Sequence, residues 1–268
     1  MSSESARHEA DDDRRYAGCA IPPIVHSVGF GWDPQPEVNR LLFLAKEAGA
    51  DVHSGLELGC GTGRLLECLC ESLDEVVALD LSPAVVDFAR TRSRATIEVG
   101  DMSDFALGRR FDLIFTSANT IRHVCDEGAI SGMWRCIGDH LSRGGVFIAD
   151  LELGIADEAE RLNKPVRWEI ARGSMQVRVS WEVIGPPSAA AALTTIRWTF
   201  ESRGGECEGV WSEVYRLRAC DAPQFVAGAE AHGGLRCCGV YEPRDPYLIG
   251  MPVKKAVGRT IVVLQSTR

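Results

Sequence analysis

The sequence predicts an α/β chain, a doubly wound and mostly parallel sheet into which a small antiparallel sheet is inserted. Three observations carry this expectation. Short apolar runs alternate with helical segments between residues 55 and 151, a glycine-rich turn follows the first of those runs, and a β-rich stretch without helices follows the last. Strand and helix in alternation build a parallel sheet covered on both faces. Strands that follow one another directly pair antiparallel.

Composition narrows the function classes. A chain of 268 residues, 45% hydrophobic, can bury a substantial core, and its net charge of -9 works against a broad grip on nucleic acid. A small-molecule acceptor is therefore expected, with no nucleic-acid partner. No apolar run approaches the roughly 20 residues that span a bilayer, and Met1 to Arg15 is polar and charged, so no membrane partner and a cytoplasmic location are expected. The ten cysteines are read as reduced thiols. Cys68/Cys70 and Cys237/Cys238 lack histidines at zinc spacing, so no metal site is expected.

The elements follow in order. Residues 1–35 are read as an N-terminal arm or lid, with loops marked by Pro22-Pro23 and by Gly29 to Pro36. The core, 36–151, begins with a covering helix from Pro36 to Gly49, where Val38, Leu41, Leu42, Ala45 and Ala48 recur at helical spacing. Strands are expected at Gly55–Leu58, Glu75–Asp80, Thr96–Val99, Phe111–Thr116 and Val146–Leu151, and helices at Gly63–Ser72, Pro83–Ser93 and Glu127–Ser142. Ser82 is placed to cap the second of these helices, with Pro83 at its first position. Residues 152–218 form the insertion, with strands at Val166–Ala171, Met175–Ile184, Thr194–Glu201 and Val210–Leu217. Within it Val177, Val179, Trp181 and Val183 alternate with polar residues, which predicts one buried face. Residues 219–268 return to the main sheet through a helix at Asp221–Ala231 and strands at Leu235–Tyr241 and Thr260–Leu264.

The turn Leu56-Glu-Leu-Gly-Cys-Gly-Thr-Gly63 joins the first strand to a helix, and its glycines allow a ligand to approach the backbone closely. Its spacing is Gly-x-Gly-x-Gly. The dinucleotide fingerprint asks for a glycine where Arg64 stands. Asp80 ends the second strand where a carboxylate accepts hydrogen bonds from ribose hydroxyls. Gly100-Asp101-Met102 follows the third strand, where a carboxylate can take an adenine amino group and a methionine can pack on the ring.

Glu57-Leu-Gly-Cys-Gly-Thr-Gly63, Asp80-Leu-Ser-Pro83, Gly100-Asp-Met-Ser-Asp-Phe105 and Phe111-Asp-Leu-Ile114, in that order, resemble the motifs of class I S-adenosylmethionine-dependent methyltransferases. The resemblance covers roughly Pro36 to Leu151 and implies their Rossmann-like fold, with S-adenosyl-L-methionine as cofactor. It implies that Glu57 and the loop Gly59, Cys60, Gly61, Gly63 and Arg64 hold the methionine part, Asp80 the ribose, and Asp101 and Met102 the adenine. Leu81 and Ser117 are further cofactor-contact candidates. The insertion is similar in placement to the capping sheet of amino-sugar N-methyltransferases and glycine N-methyltransferase, which implies methylation of an amine or hydroxyl of a small metabolite. The alternative reading of the inserted strands is a homodimer surface alone.

Beyond the fourth strand, the polar loop Thr116 to Val124 sits where substrates of open α/β folds bind. Similar small-molecule methyltransferases carry a histidine there, so His123 is the candidate base, with a rising pH limb expected near 6.5. Arg122 either holds a substrate carboxylate or lies in solvent. Asn119, Tyr16 and Trp32 are further substrate candidates, the two aromatics as a lid. Trp168, Trp181, Trp198 and Trp211 either form the inserted sheet's core or line a pocket for an apolar or aromatic substrate. Three alternatives stay open: a nicotinamide-dependent oxidoreductase, a non-catalytic protein that binds the cofactor, and a different reaction of it such as cyclisation.

Overall fold

The computed structural model describes residues 20–154, 165–185, 193–244, 247–256 and 258–268. Two helices precede the first strand. Helix α1, Pro23–Gly29, lies in a stretch expected to be loop, and Pro23 supplies the fixed φ that suits a first helical turn. Helix α2, Gln35–Glu47, is the expected covering helix. Strand β1 (Ser54–Leu58), helix α3 (Leu66–Cys70), β2 (Glu75–Asp80), α4 (Pro83–Arg90), β3 (Thr96–Val99), β4 (Phe111–Thr116), α5 (Glu127–His140) and β5 (Leu141–Leu153) complete the alternating series. The meander β6 (Val166–Arg172), β7 (Met175–Val183), β8 (Leu193–Arg203) and β9 (Gly209–Arg218) follows. Helix α6 (Ala222–Gly228) continues as a π-helical turn, and β10 (Leu235–Arg244), β11 (Tyr247–Gly250) and β12 (Gly258–Ser266) close the chain.

The main sheet has eight strands in the order β11-β10-β12-β5-β4-β1-β2-β3. Its β1 to β5 part is parallel and β12, β10 and β11 are antiparallel additions. β11 was not foreseen. Alternate residues feed the two faces. Ile114, Phe147 and Ala149 join one core cluster, and Leu113, Phe115, Val146 and Ile148 join the other. β1 pairs with β2 on one side and β4 on the other, so the chain reverses direction across the sheet there. That reversal opens a crevice at the strands' carboxyl ends.

The second sheet is fully antiparallel in the order β6-β7-β8-β9. One half of its apolar face packs on α1, where Ile21, Val25 and Val28 are buried with Val177, Val179 and Phe200. The approach is close. A Cβ on Gly29 would stand 2.8 Å from Val179 and 2.9 Å from Phe200, and the Trp168 indole donates a 2.7 Å hydrogen bond to the Gly29 carbonyl. Burial decays along β7, where Met175, Val177 and Val179 are fully covered while Trp181 and Val183 are only partly so. No helix among the described residues is long and apolar enough to cross a membrane.

Candidate cofactor and acceptor site

A cavity of about 1070 Å³ lies over the carboxyl ends of β1, β2 and β4, with α1 along one side and the second sheet above. Single-ligand pockets run to roughly 1,000 Å³, so this space accommodates a nucleoside-sized molecule and a second small molecule.

The glycine loop forms its floor. Gly61 has φ +54, and a Cβ there would meet nothing nearer than His26 Cε1 at 3.9 Å. The loop is therefore a cradle that any side chain would fill. Gly59 lies beside it, where a Cβ would stand 2.2 Å from Thr120. Its amide and that of Cys60 donate to the Leu79 carbonyl at 2.8 and 3.0 Å. Gly63, expected to hold cofactor, does not line the cavity. It has φ +79, and a Cβ there would crowd Ala89 of α4 at 3.2 Å, so its role is helix packing.

Glu57 and Arg64 both line the cavity. Glu57 is 3% exposed, and burial pushes its carboxyl well above the ordinary value against the lowering effect of the Arg64 charge. Ser117 hydrogen-bonds the Glu57 carboxyl, yet Glu57 Oε2 has no partner. Arg64 pairs with Glu37 through Nη2 and lies over the Trp32 ring at 5.1 Å. Its Nη1 is buried and unpartnered. A spare carboxylate oxygen and a spare guanidinium nitrogen beside one open glycine cradle match the ammonium and carboxylate of an α-amino acid.

Asp80 Oδ2 accepts from the Gly61 amide at 2.8 Å and Oδ1 from the Ser82 amide at 3.0 Å. Burial raises its pKa while these backbone donors lower it. Asp80 thus holds both the glycine loop and the start of α4. Ser82 does not cap α4 with its side chain, contrary to expectation, because its Oγ is buried without a partner. At the next strand end, Asp101 Oδ1 accepts from the Ser103 amide and hydroxyl, each at 2.7 Å. Leu81 and Met102 add apolar surface to the same wall. Glu57, Asp80 and Asp101 thus stand at the carboxyl ends of β1, β2 and β3 along one cavity.

The loop after β4 bends through Ala118 (φ 51) and Asn119 (φ 68), both in the left-handed region. Such strain persists only where surroundings hold it. Here the Asn119 amide donates to Asp150 O at 3.1 Å and its Oδ1 accepts from the Glu152 amide at 2.6 Å, so that side-chain oxygen braces the loop. Arg122 is 4% exposed and donates from Nε to the Arg218 carbonyl at 2.7 Å. This corrects the solvent reading and ties the loop to the second sheet. His123 follows in a short 3-10 turn, edge-on to Tyr215 at 5.2 Å between ring centres. Burial first, and then the Arg122 charge, lower its pKa to about 4, so the expected limb near 6.5 is corrected downward. At neutral pH the imidazole is uncharged and can accept a proton.

Trp32 lines the cavity, as do Trp168, Trp181 and Trp198, of which Trp168 and Trp198 also pack with the α1 cluster, whereas Trp211 packs with that cluster alone. Tyr16 lies outside the described residues. Among the cavity residues not anticipated are His26 and Phe30 from α1 and the turn after it, and Tyr215 from β9. His26 stacks on Phe200 at 5.7 Å, its Nδ1 has no partner, and burial lowers its pKa to about 4. The spacing of Ile21, Val25 and Val28 on one helical face was the available signal for α1.

Residues 56–145 match a family model described as a methyltransferase domain. The dTDP-3-amino-3,6-dideoxy-alpha-D-glucopyranose N,N-dimethyltransferase of Streptomyces fradiae is 31% identical over 152 residues, 56% of this chain and 58% of that protein. The dTDP-3-amino-3,4,6-trideoxy-alpha-D-glucopyranose N,N-dimethyltransferase of Streptomyces venezuelae is 28% identical over 124 residues, 46% of this chain and 52% of that protein. The matches thus span little more than half the length of these curated relatives. A sugar N-methyltransferase from Streptoalloteichus superposes with a TM-score of 0.74 at 20% identity, covering 100% of this chain and 99% of that one, which is a likeness of fold. Residues 56–145 thus match a methyltransferase domain, and the chain resembles the amino-sugar N-methyltransferases.

Proposed function

We propose that the protein transfers a methyl group from S-adenosylmethionine to an amine of a small-molecule metabolite, with His123 beside the acceptor and the second sheet as the roof of the acceptor site. The observation that carries this reading is the unpartnered pair Glu57 Oε2 and Arg64 Nη1 beside the open Gly61 cradle. They are followed along the same cavity by Asp80 and Asp101. The amine is favoured over a hydroxyl because the relatives named above are N,N-dimethyltransferases.

S-adenosylmethionine, when bound, supplies a methyl group made electrophilic by its sulfonium. The chain's task is then alignment and exclusion of water, worth up to about 7–11 kcal/mol through proximity. Arg64 would hold the α-carboxylate, Glu57 the α-ammonium and Asp80 the ribose hydroxyls. His123, uncharged above about pH 4, would orient the amine lone pair and receive its proton on the imidazole. A base of so low a pKa gains little by removing a proton from an alkylammonium. The half-apolar roof therefore has a second task, to favour the acceptor in its neutral form. Loss of a charge-assisted hydrogen bond costs about 1.5–3 kcal/mol, so Asp80→Ala should weaken cofactor binding about 10- to 150-fold by calorimetry. Unchanged affinity would remove the ribose assignment.

A further inference from the structure

The second sheet presents two unlike faces. Its outer face is laced with ion pairs, Arg178 with Glu169 and Glu201, and Arg197 with Glu182. Its inner face is apolar, and α1 covers only half of it. The other part, Val166, Trp168, Trp181, Ile196, Trp198 and Leu217, lines the cavity, with Trp168 and Trp198 also packing against the α1 cluster. These residues form one contiguous band, because Val166 stands opposite Trp181 and Trp181 opposite Trp198 in the strand register. The Trp168, Trp181 and Trp198 rings pack together with centroids 5.7 and 6.2 Å apart.

Two polar groups beside this band are already engaged. The Trp168 indole donates to Gly29 O, and the Tyr215 hydroxyl donates to Glu213. Among the cavity's cations, Arg64 pairs with Glu37 through Nη2 and keeps its unpartnered Nη1 beside the Gly61 cradle, Arg122 donates to the Arg218 carbonyl, and Arg259 pairs bidentately with Asp150 at 3.1 and 2.8 Å. Arg216 alternates with Tyr215 and Leu217 onto the other side of β9 and is exposed. A diphosphate pressed against this wall would lose its hydration and meet no cation among its residues, only the Trp181 and Trp198 indole N–H groups. A flat apolar ring would instead exchange water for the indole surfaces of this wall.

We infer that the acceptor carries its amine on a molecule whose remote part is an aromatic or fused apolar ring system, seated on the Trp168, Trp181 and Trp198 wall, and is not a nucleoside-diphosphate sugar. This rests on the reading of the cavity as an amine-methylation site. The thymine base of a nucleotide sugar could stack on the same wall, but its diphosphate would have to cross it.

The test compares two matched probes, a 4-nitrophenyl 3-amino-3,6-dideoxyglucoside and dTDP-3-amino-3,6-dideoxyglucose, titrated by calorimetry into the full chain saturated with S-adenosylhomocysteine. The aryl glycoside should bind at least about tenfold more tightly. Trp181→Ala should erase that preference and Trp181→Phe should keep it, with S-adenosylhomocysteine affinity and the unfolding midpoint unchanged in both variants. Equal or tighter binding of the nucleotide sugar, binding of neither probe, or an aryl affinity indifferent to Trp181→Ala would each overturn the inference while leaving the methyltransfer reading intact. Failure to bind S-adenosylhomocysteine at all would instead strike that underlying reading.

Discussion

His26 offers a quantitative check on the cavity's electrostatics. Its imidazole is wedged between Phe30, 4.6 Å away, and Phe200, 5.7 Å away, with no partner for Nδ1, and burial lowers its pKa from 6.5 to about 4. A histidine whose folded pKa is depressed binds fewer protons folded than unfolded between those two values. Its cost is therefore absent above pH 6.5 and grows as pH falls, at about 1.4 kcal/mol per pH unit and about 3 kcal/mol in full. His26→Phe removes the titration and keeps a ring between two rings. Urea unfolding at pH 7.5, 6 and 5 should show a variant close to wild type at pH 7.5 and progressively more stable relative to it below pH 6.5. Glu57, whose raised pKa acts in the opposite sense, and His123, with its own depressed value, are common to both proteins and cancel in the difference. Parallel stability curves would refute the assignment of a buried, unpartnered imidazole.

Two further expectations concern the loops of the site. Gly61→Val should abolish S-adenosylmethionine binding by calorimetry, because a branched side chain would sit at φ +54 and fill the cradle; normal affinity would show that the loop is only a turn. His123→Asn should lower turnover by roughly 10² to 10⁴ if the ring orients and deprotonates the acceptor, with cofactor affinity nearly intact. The wild-type pH limb belonging to His123 should lie near 4, and a limb near 6.5 would mean that the bound acceptor restores an ordinary histidine.

The parallel core was legible in the sequence because both of its periodicities are strong. β2, β3 and β4 fall on their expected boundaries, and the covering helix and α5 differ by about a turn or less. The π-helical turn after α6 and the hairpin β10–β11 were not legible, since Tyr247 to Gly250 is a short stretch that pairs only through its neighbour. At the site, Glu57, Gly61, Asp80 and Asp101 could be placed because each lies at a strand's carboxyl end, where topology dictates position. Gly63 carried the same motif signal but answers to α4, a contact invisible in a one-dimensional pattern. His26 and Tyr215 reach the cavity across 97 and 92 residues of chain from His123, from elements whose placement depends on the meander's packing against α1. The histidine pKa values were equally out of reach, because burial is a tertiary property.

Product analysis bears most directly on the central claim. The protein, S-adenosylmethionine and a panel of amino glycosides, aryl-linked and nucleotide-linked, should yield S-adenosylhomocysteine in a one-to-one ratio with a mono- or dimethylated amine by mass spectrometry. Asp80→Ala should slow both products together. Accumulation of methylthioadenosine, or tight cofactor binding with no methylated amine from any member of the panel, would contradict methyl transfer to an amine as the activity of this site.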